Sequence, residues 1–291
     1  MKKFTSIALV LVLVLSVFAF ASCKKTDTDT TTDAGTTVPV EAVAKYKVLP
    51  DGLAEEEYAI GFRKADQTLR DKVQTILAEM KADGTLGEIS TNWFGSDVTT
   101  VKTTPTTVKS DAADKSLQKV LDAGKLVLGL DATFKPMGFK NEKNETVGFD
   151  IDVAKEVCKR LGVELVTKDI DWTTKEKTLN AGVIDCIWNG MSIDAERAKA
   201  MNLSEAYMNN KMVFVVDGAS AIVKAADLKG KKVAVQSGST AQTLLKESEY
   251  AKDIEIVELA TNVECLQQLK FGMIDAAFMD LVVAEYEISQ P

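Results

Sequence analysis

From Lys125 onward, short apolar runs of strand length alternate with amphipathic helical stretches, and this alternation constrains the fold more than any other feature of the 291-residue chain. KLVLGL (125–130) is a continuous apolar run, and residues 150–161 place Val153, Val157 and Leu161 on one helical face. VELVT (163–167), a helix over 174–182, IDCIWN (184–189), a helix over 194–201 and KMVFVV (211–216) continue the series. KKVAVQ (231–236), a helix from Ser239, IEIVEL (254–259), a helix through Leu266 and Leu269, IDAAFMD (274–280) and a last helix, LVVAEYEI, complete it. This spacing predicts α/β lobes with mostly parallel sheets. Ligands in such sheets bind outside the carboxyl ends of the strands.

The segment ahead of Lys125 reads differently. YKVLP (46–50) and YAIGFRK (58–64) are β-branched or aromatic runs separated by Pro-Asp-Gly, which predicts two short strands. Leu69, Val73, Ile76, Leu77 and Met80 form one helical stripe, ended by Asp83-Gly84. A second helix carries Leu86, Ile89 and Trp93. ISTNWFGSDVTTVKTTPTTVKSD (89–111) then has the character of a carboxyl terminus: a helix runs out, Gly95 follows, and a Thr-rich stretch with one Pro comes after it. Leu117, Val120 and Leu121 start a new helix that stops at Gly124. One unit reads as finishing before residue 111 and another as beginning directly behind it.

Composition enters through what it excludes. With 46% hydrophobic residues the chain is not disordered, and with no histidine it holds neither a Ser-His-Asp nor a Cys-His nucleophile, nor an imidazole zinc site. No cofactor is implied. A net charge of −8 repels a phosphate backbone, so nucleic acid is not an expected partner. Lys2 and Lys3 followed by IALVLVLVLSVFAFA read as a signal peptide over residues 1–22, too short for a spanning helix. Ala21-Ser22-Cys23 resembles a bacterial lipobox, which makes Cys23 the lipidation site; a secreted protein with a free Cys23 is the alternative. The polar stretch 23–44 suits a flexible tether. The expected location is extracytoplasmic, anchored to the membrane through lipid alone, or secreted or periplasmic if Cys23 is unmodified. Cys158, Cys186 and Cys265 lie in apolar segments and are expected to be buried thiols.

The strand ends carry the chemistry. KLVLGL runs into Asp131 and Phe134, and IDCIWN into Asn189, Gly190, Met191 and Ser192 with Arg197 five residues on. VAVQ leads to Ser239 and Thr240, where Ser239 and Gln242 have the spacing of a capping box, and IDAAFM ends in Asp280. Trp172 follows another strand. A guanidinium and a helix N-terminus for a carboxylate, an acid for an ammonium and aromatic walls for a side chain together suit an α-amino acid. Each residue alone has a plain alternative: Arg197 a solvated helix residue, Asp280, Ser239 and Thr240 helix capping, Trp172 lobe surface or core. Their occurrence at successive strand ends favours the binding reading.

GKLVLGLDATFKPMGFKNEKNETVGFDIDVAKEVCKRLGVELV (124–166), Ile184-Asp185 ahead of the Arg197 helix, and IDAAFMD resemble the polar amino-acid-binding proteins of ABC importers, the lysine/arginine/ornithine- and glutamine-binding group. The resemblance implies a type II periplasmic-binding fold, two α/β lobes clamping a ligand. It assigns the α-carboxylate to Arg197, Ser192 and Thr240, and the ammonium to Asp280 and a strand-end carbonyl. Phe134 and Trp172 would enclose the side chain, with Asp131 at its far end. Phe134 stands where Tyr is usual, Asn189-Gly190-Met191 replaces Ser-Ser-Leu, Ala241 replaces Gln, and Cys158 has no nearby partner. These departures leave the side-chain preference open between polar and cationic.

The same resemblance explains the early ending. KYKVLPDGLAEEEYAIGFRKADQTLRDKVQTILAEMKADGTLGEISTNWFG (45–95) resembles the family's carboxyl-terminal segment, so the chain is expected to be circularly permuted. Lobe 1 is then residues 58–101 with 116–208, lobe 2 residues 45–57 with 209–291, and 102–115 joins the family's original termini. The implied function is a monomeric binding protein rather than an enzyme, which delivers an L-α-amino acid to ABC permease subunits by hinge closure. A lyase or dehydratase on the same fold and a ligand sensor without transport are the alternatives.

Overall fold

The computed structural model describes residues 45–106 and 112–290. The expected signal peptide, Cys23, the expected tether over 23–44, and residues 107–111 of the expected join lie outside the described residues.

In chain order the strands are β1 (Tyr46–Val48), β2 (Ala54–Tyr58), β3 (Gly61–Phe62), β4 (Lys125–Leu130), β5 (Thr133–Phe134), β6 (Gly138–Lys140) and β7 (Thr146–Val147). They continue with β8 (Glu164–Asp169), β9 (Cys186–Ile187), β10 (Asn202–Leu203), β11 (Met208–Asp217), β12 (Lys232–Gln236), β13 (Glu255–Leu259) and β14 (Ala276–Asp280). The helices are α1 (Gln67–Ala82), α2 (Thr85–Phe94), α3 (Ser116–Ala123), α4 (Phe149–Leu161), α5 (Lys175–Asn180), α6 (Ala195–Ala200), α7 (Thr240–Glu247), α8 (Asn262–Lys270) and α9 (Leu281–Ser289).

Two mixed sheets organise two lobes. One has the order β10-β3-β9-β4-β8; the other runs β1-β11-β14-β12-β13, with β2 also on β11. The strands at the heart of each are parallel, β4 with β8 and β9, and β12 with β13 and β14. The antiparallel pairs come from β1, β2, β3, β10 and β11, so "mostly parallel" holds for the centres and not for the flanks. A small antiparallel sheet, β5-β6-β7, sits on the first lobe.

Periodicity explains the packing. Along β11, Met212, Phe214 and Val216 face one apolar cluster while Val213 and Val215 face another, the period-2 signature of a strand covered on both faces. In α1, Leu69, Val73, Ile76, Leu77 and Met80 are all buried, each contributing about 1.5–3 kcal/mol of burial free energy. The buried Cys158, Cys186 and Cys265 are free thiols, and burial pushes Cys158 and Cys265 up to about 12.

The chain passes between the sheets at two places, from β2 into β3 and from β10 into β11. These crossings lie side by side, joined by Tyr207 N–H to the Tyr58 carbonyl (2.9 Å) and Ser204 N–H to the Ile60 carbonyl (2.9 Å). The residues read as one strand, 58–64, are therefore the end of β2, a crossing and the two-residue β3. AEEEY (54–58) is a strand that sequence reasoning passed over, because three Glu in a row argue against β-structure. Tertiary position overrides that preference: Glu55 and Glu57 are exposed, while Glu56 points inward.

Candidate functional site

The carboxyl ends of β4, β9, β12 and β14 converge on a small cavity between the lobes. Asp131, Phe134, Trp172, Asn189, Gly190 and Ser192 line it from the first lobe, together with Arg197. Ser239, Thr240 and Asp280 line it from the second, and Gln236 joins them. Met191 is not among the lining residues: its side chain is fully buried in the first lobe's core with Ile187 and Met201, and its carbonyl accepts from Ala59 N–H (2.9 Å).

Arg197 lies in the short helix α6, whose N-cap Asp194 accepts from Arg197 N–H (2.8 Å). The guanidinium is held by Asp194 Oδ2 (3.1 Å from Nε) and by the Ser192 carbonyl (2.8 Å from Nη1), and is almost completely buried. Burial pulls its proton affinity down from the usual range, against Asp194. Across the cleft, Ser239 caps α7, its Oγ accepting from Gln242 N–H (3.1 Å). The reciprocal half of the expected box closes one residue earlier, on Gly238 N–H, which donates to Gln242 Oε1 (2.9 Å). Thr240 Oγ1 and Ser192 Oγ are 3.2 Å apart, joining the lobes directly.

Asp280 ends β14 and is buried, with one carboxylate oxygen accepting from Tyr58 OH (2.6 Å) and Asn210 Nδ2 (2.8 Å). Burial pushes its carboxyl up to about 7, and the Glu56 carboxylate nearby adds to the rise. Although Asp280 precedes α9, its side chain makes no capping hydrogen bond there. At the cavity's other end Asp131 Oδ1 accepts from Thr133 N–H (3.0 Å) and Thr133 Oγ1 (2.6 Å). Asp131 Oδ2 accepts from Gln236 Nε2 (2.7 Å), a second direct bond between lobes. Burial raises the Asp131 carboxyl as well.

The closed cleft explains three further residues. Lys175 is 3% exposed and donates to the Gly238 carbonyl (2.9 Å) while its ammonium sits 5.0 Å from the Trp172 ring centre. Burial and the neighbouring Arg197 lower its proton affinity. Gly238 takes φ +72°, and a Cβ there would come within 3.0 Å of the Thr173 backbone, so the lobes meet backbone to backbone. Glu56 Oε2 accepts from Ser192 Oγ (2.6 Å), which places a second acid beside Asp280. Gln236 was legible as a strand-end polar residue; Glu56, Tyr58, Asn210 and Lys175 carry no local signal, since only the fold turns them inward.

Among the described residues no cluster of His, Cys, Asp and Glu has the geometry of a metal site, and no helix is long and apolar enough to cross a membrane.

The model of the bacterial extracellular solute-binding proteins, family 3, matches residues 11–96 and 126–256. The chain belongs to this family. The L-cystine-binding protein TcyJ of Escherichia coli (strain K12) is 32% identical over 179 residues, 61% of this chain and 66% of that protein. The chain thus spans just under two thirds of that curated relative. Among solved structures, Tv2483 bound to L-arginine matches with a TM-score of 0.59 and 32% identity, covering 61% of this chain and 73% of the other. An ABC uptake transporter substrate binding protein from Streptococcus pneumoniae with bound histidine matches with a TM-score of 0.58 and 35% identity, over 60% and 73%. The two-lobed type II fold expected from the sequence is the fold of this family.

Proposed function

We propose that this chain is an extracytoplasmic binding protein that captures an L-α-amino acid, polar or cationic, by hinge closure and presents it to an ABC permease. One observation carries the reading: a carboxylate-binding set, an ammonium-binding set and two aromatic walls, drawn from both lobes, line a single cavity. The α-carboxylate goes to Arg197, Ser192, Thr240 and the N-terminus of α7. The ammonium goes to Asp280, with Gly190 in the adjoining wall and Glu56 reinforcing the negative potential. Phe134 and Trp172 flank the side chain, and the Asp131–Gln236 pair at the far end suits a polar or cationic head. The relatives bind cystine, arginine and histidine by their own descriptions, which agrees with this chemistry.

Closure follows from differential contact, because Arg197 and Thr240 stand on different lobes and a ligand touches both only when the cleft is shut. The remaining parts of the proposal concern the whole protein. Cys23 carries the lipid, residues 23–44 tether the domain, and it works as a monomer without cofactor or nucleic acid. The chain order is a circular permutation with lobe 1 at 58–101 and 116–208 and lobe 2 at 45–57 and 209–291. One observation supports the permutation: β1 and β2, which precede the first lobe in the chain, complete the sheet otherwise built from residues 208–280.

The test is calorimetric titration of residues 24–291, stripped of bound ligand by unfolding and refolding, with each common L-amino acid and with L-cystine. Micromolar or tighter binding of one or a few is expected. A folded protein that takes none of them sinks the proposal. A dehydratase or lyase reading has one specific point in its favour, the Asp280 carboxyl near 7 in the cavity, where a general acid would need it. Following amino acids by NMR in the presence of the protein separates turnover from binding.

A further inference from the structure

Behind the cavity wall lies a buried acid that the binding reading does not use. Asp150, in the first turn of α4, is fully buried in the first lobe. Its Oδ2 accepts from Gly190 N–H (2.7 Å) and from Tyr207 OH (3.0 Å). Its Oδ1 has no hydrogen-bond partner, and neither has the buried indole N–H of Trp188 two residues ahead of Gly190. Among the described residues no cation neutralises this carboxyl. Burial pushes it up to about 7, against the opposing pulls of the Tyr207 hydroxyl, the Gly190 N–H and the Trp188 indole N–H. A buried ionisable group with an orphaned oxygen is costly, and a core needing only volume would be better served by an apolar residue.

What the acid holds is informative. Gly190 lines the cavity at φ +52°, and a Cβ there would stand 2.8 Å from the Phe134 ring and 3.2 Å from the Tyr58 ring. Phe134 is a cavity wall, and Tyr58 donates to Asp280. Tyr207 belongs to the crossing into β11, with its own N–H on the Tyr58 carbonyl (2.9 Å) and its carbonyl accepting from Thr100 N–H (2.9 Å). One carboxylate oxygen therefore joins the helix α4, the loop that forms the cavity wall and the crossing between lobes.

We propose that Asp150 is a positioning residue for ligand binding: without touching ligand, it sets the Gly190 peptide in the cavity wall and ties that wall to the interlobe crossing through Tyr207. The affinity part rests on the amino-acid-binding reading. The positioning part does not.

The test therefore has two readouts. In the ligand-free protein, the Gly190 amide proton is followed by NMR against pH. A short bond to a carboxylate should place it downfield, with a titration midpoint near 7. Among the described residues, Tyr207 is the titratable side chain acting on Asp150, but the Asp280 carboxyl, also pushed up to about 7, lies one ring away through Tyr58. Asp150→Asn should abolish the downfield shift and the midpoint, whereas Asp280→Asn should leave both. The second readout is the dissociation constant for L-arginine, or for L-histidine if the wild type prefers it. Asp150→Asn should weaken it about tenfold and Tyr207→Phe about fivefold, as expected for the loss of a charge-assisted and an ordinary hydrogen bond. Tyr207→Phe removes a single hydroxyl and serves if Asp150→Asn does not fold. A Gly190 signal indifferent to both variants, or unchanged affinity in both, overturns the proposal. If the wild type binds no amino acid the binding reading fails by itself, and the Gly190 signal alone then decides the positioning role.

Discussion

At the scale of single residues, the site depends on charges that are buried and individually matched. Arg197 is oriented by Asp194 and the Ser192 carbonyl. Arg197→Ala is expected to cost about 3–5 kcal/mol of binding, because a ligand carboxylate would be enclosed without its partner. Affinity retained within tenfold by calorimetry would remove Arg197 from the site. Asp280 makes the opposite kind of statement. Its folded carboxyl lies near 7, well above the unfolded range, so its neutral form stabilises the ligand-free protein below the unfolded value and that contribution is lost as pH rises through 7. An ammonium ligand needs the ionised form. Binding should therefore weaken below pH 7, by up to about tenfold per unit, and release a proton in doing so. Titrations at pH 6 in buffers of different ionisation enthalpy would reveal the proton; equal heats in all of them would contradict this.

At the scale of elements, the loop after β9 and the start of α7 do most of the shaping. Gly190 sits in that loop in left-handed geometry with aromatic rings at contact distance. Gly190→Ala adds backbone strain and a methyl group where no space exists, and should lower stability by about 2 kcal/mol or more. A denaturant midpoint within error of wild type would show that the loop moves freely. At α7, Ser239→Ala removes the N-cap and should destabilise by about 1 kcal/mol. It should also weaken ligand binding, since the same N-terminus faces the cavity. If stability falls and affinity does not, the helix N-terminus plays no part in recognition.

At the scale of the molecule, the two neighbouring crossings and the direct bonds Asp131–Gln236, Lys175–Gly238 and Ser192–Thr240 describe lobes that meet across a shut cleft. Small-angle scattering should show the ligand-stripped protein more extended than the ligand-bound form. Identical radii of gyration would argue against hinge closure. The proposed permutation has its own consequence. If the chain is permuted, a rearranged chain that joins its carboxyl end to residue 45 through a short linker and opens new termini within 107–111 restores the order of the family. It should fold with similar ligand affinity, and an unfolded product would count against the permuted reading.

Much of this was legible in the residues. The alternation of apolar runs and helical stripes specified α/β lobes, and polar groups at the ends of those runs pointed to Asp131, Ser192, Arg197, Thr240 and Asp280, because strand direction alone puts such ends on one side of a sheet. The loss of secondary-structure signal around residues 95–115 likewise agrees with the break between α2 and α3. Tertiary structure decided the rest. AEEEY becomes a strand only because β11 offers it an edge, and that pairing turns Glu56 toward Ser192. Met191 and Ser192 are adjacent in sequence, yet one packs into the core and the other lines the cavity, since successive side chains point opposite ways. Asp150 reads as an ordinary acid in the first turn of a helix. Its link to Gly190 and Tyr207 spans 40 and 57 positions of sequence, and contacts at that separation exist only in the folded chain.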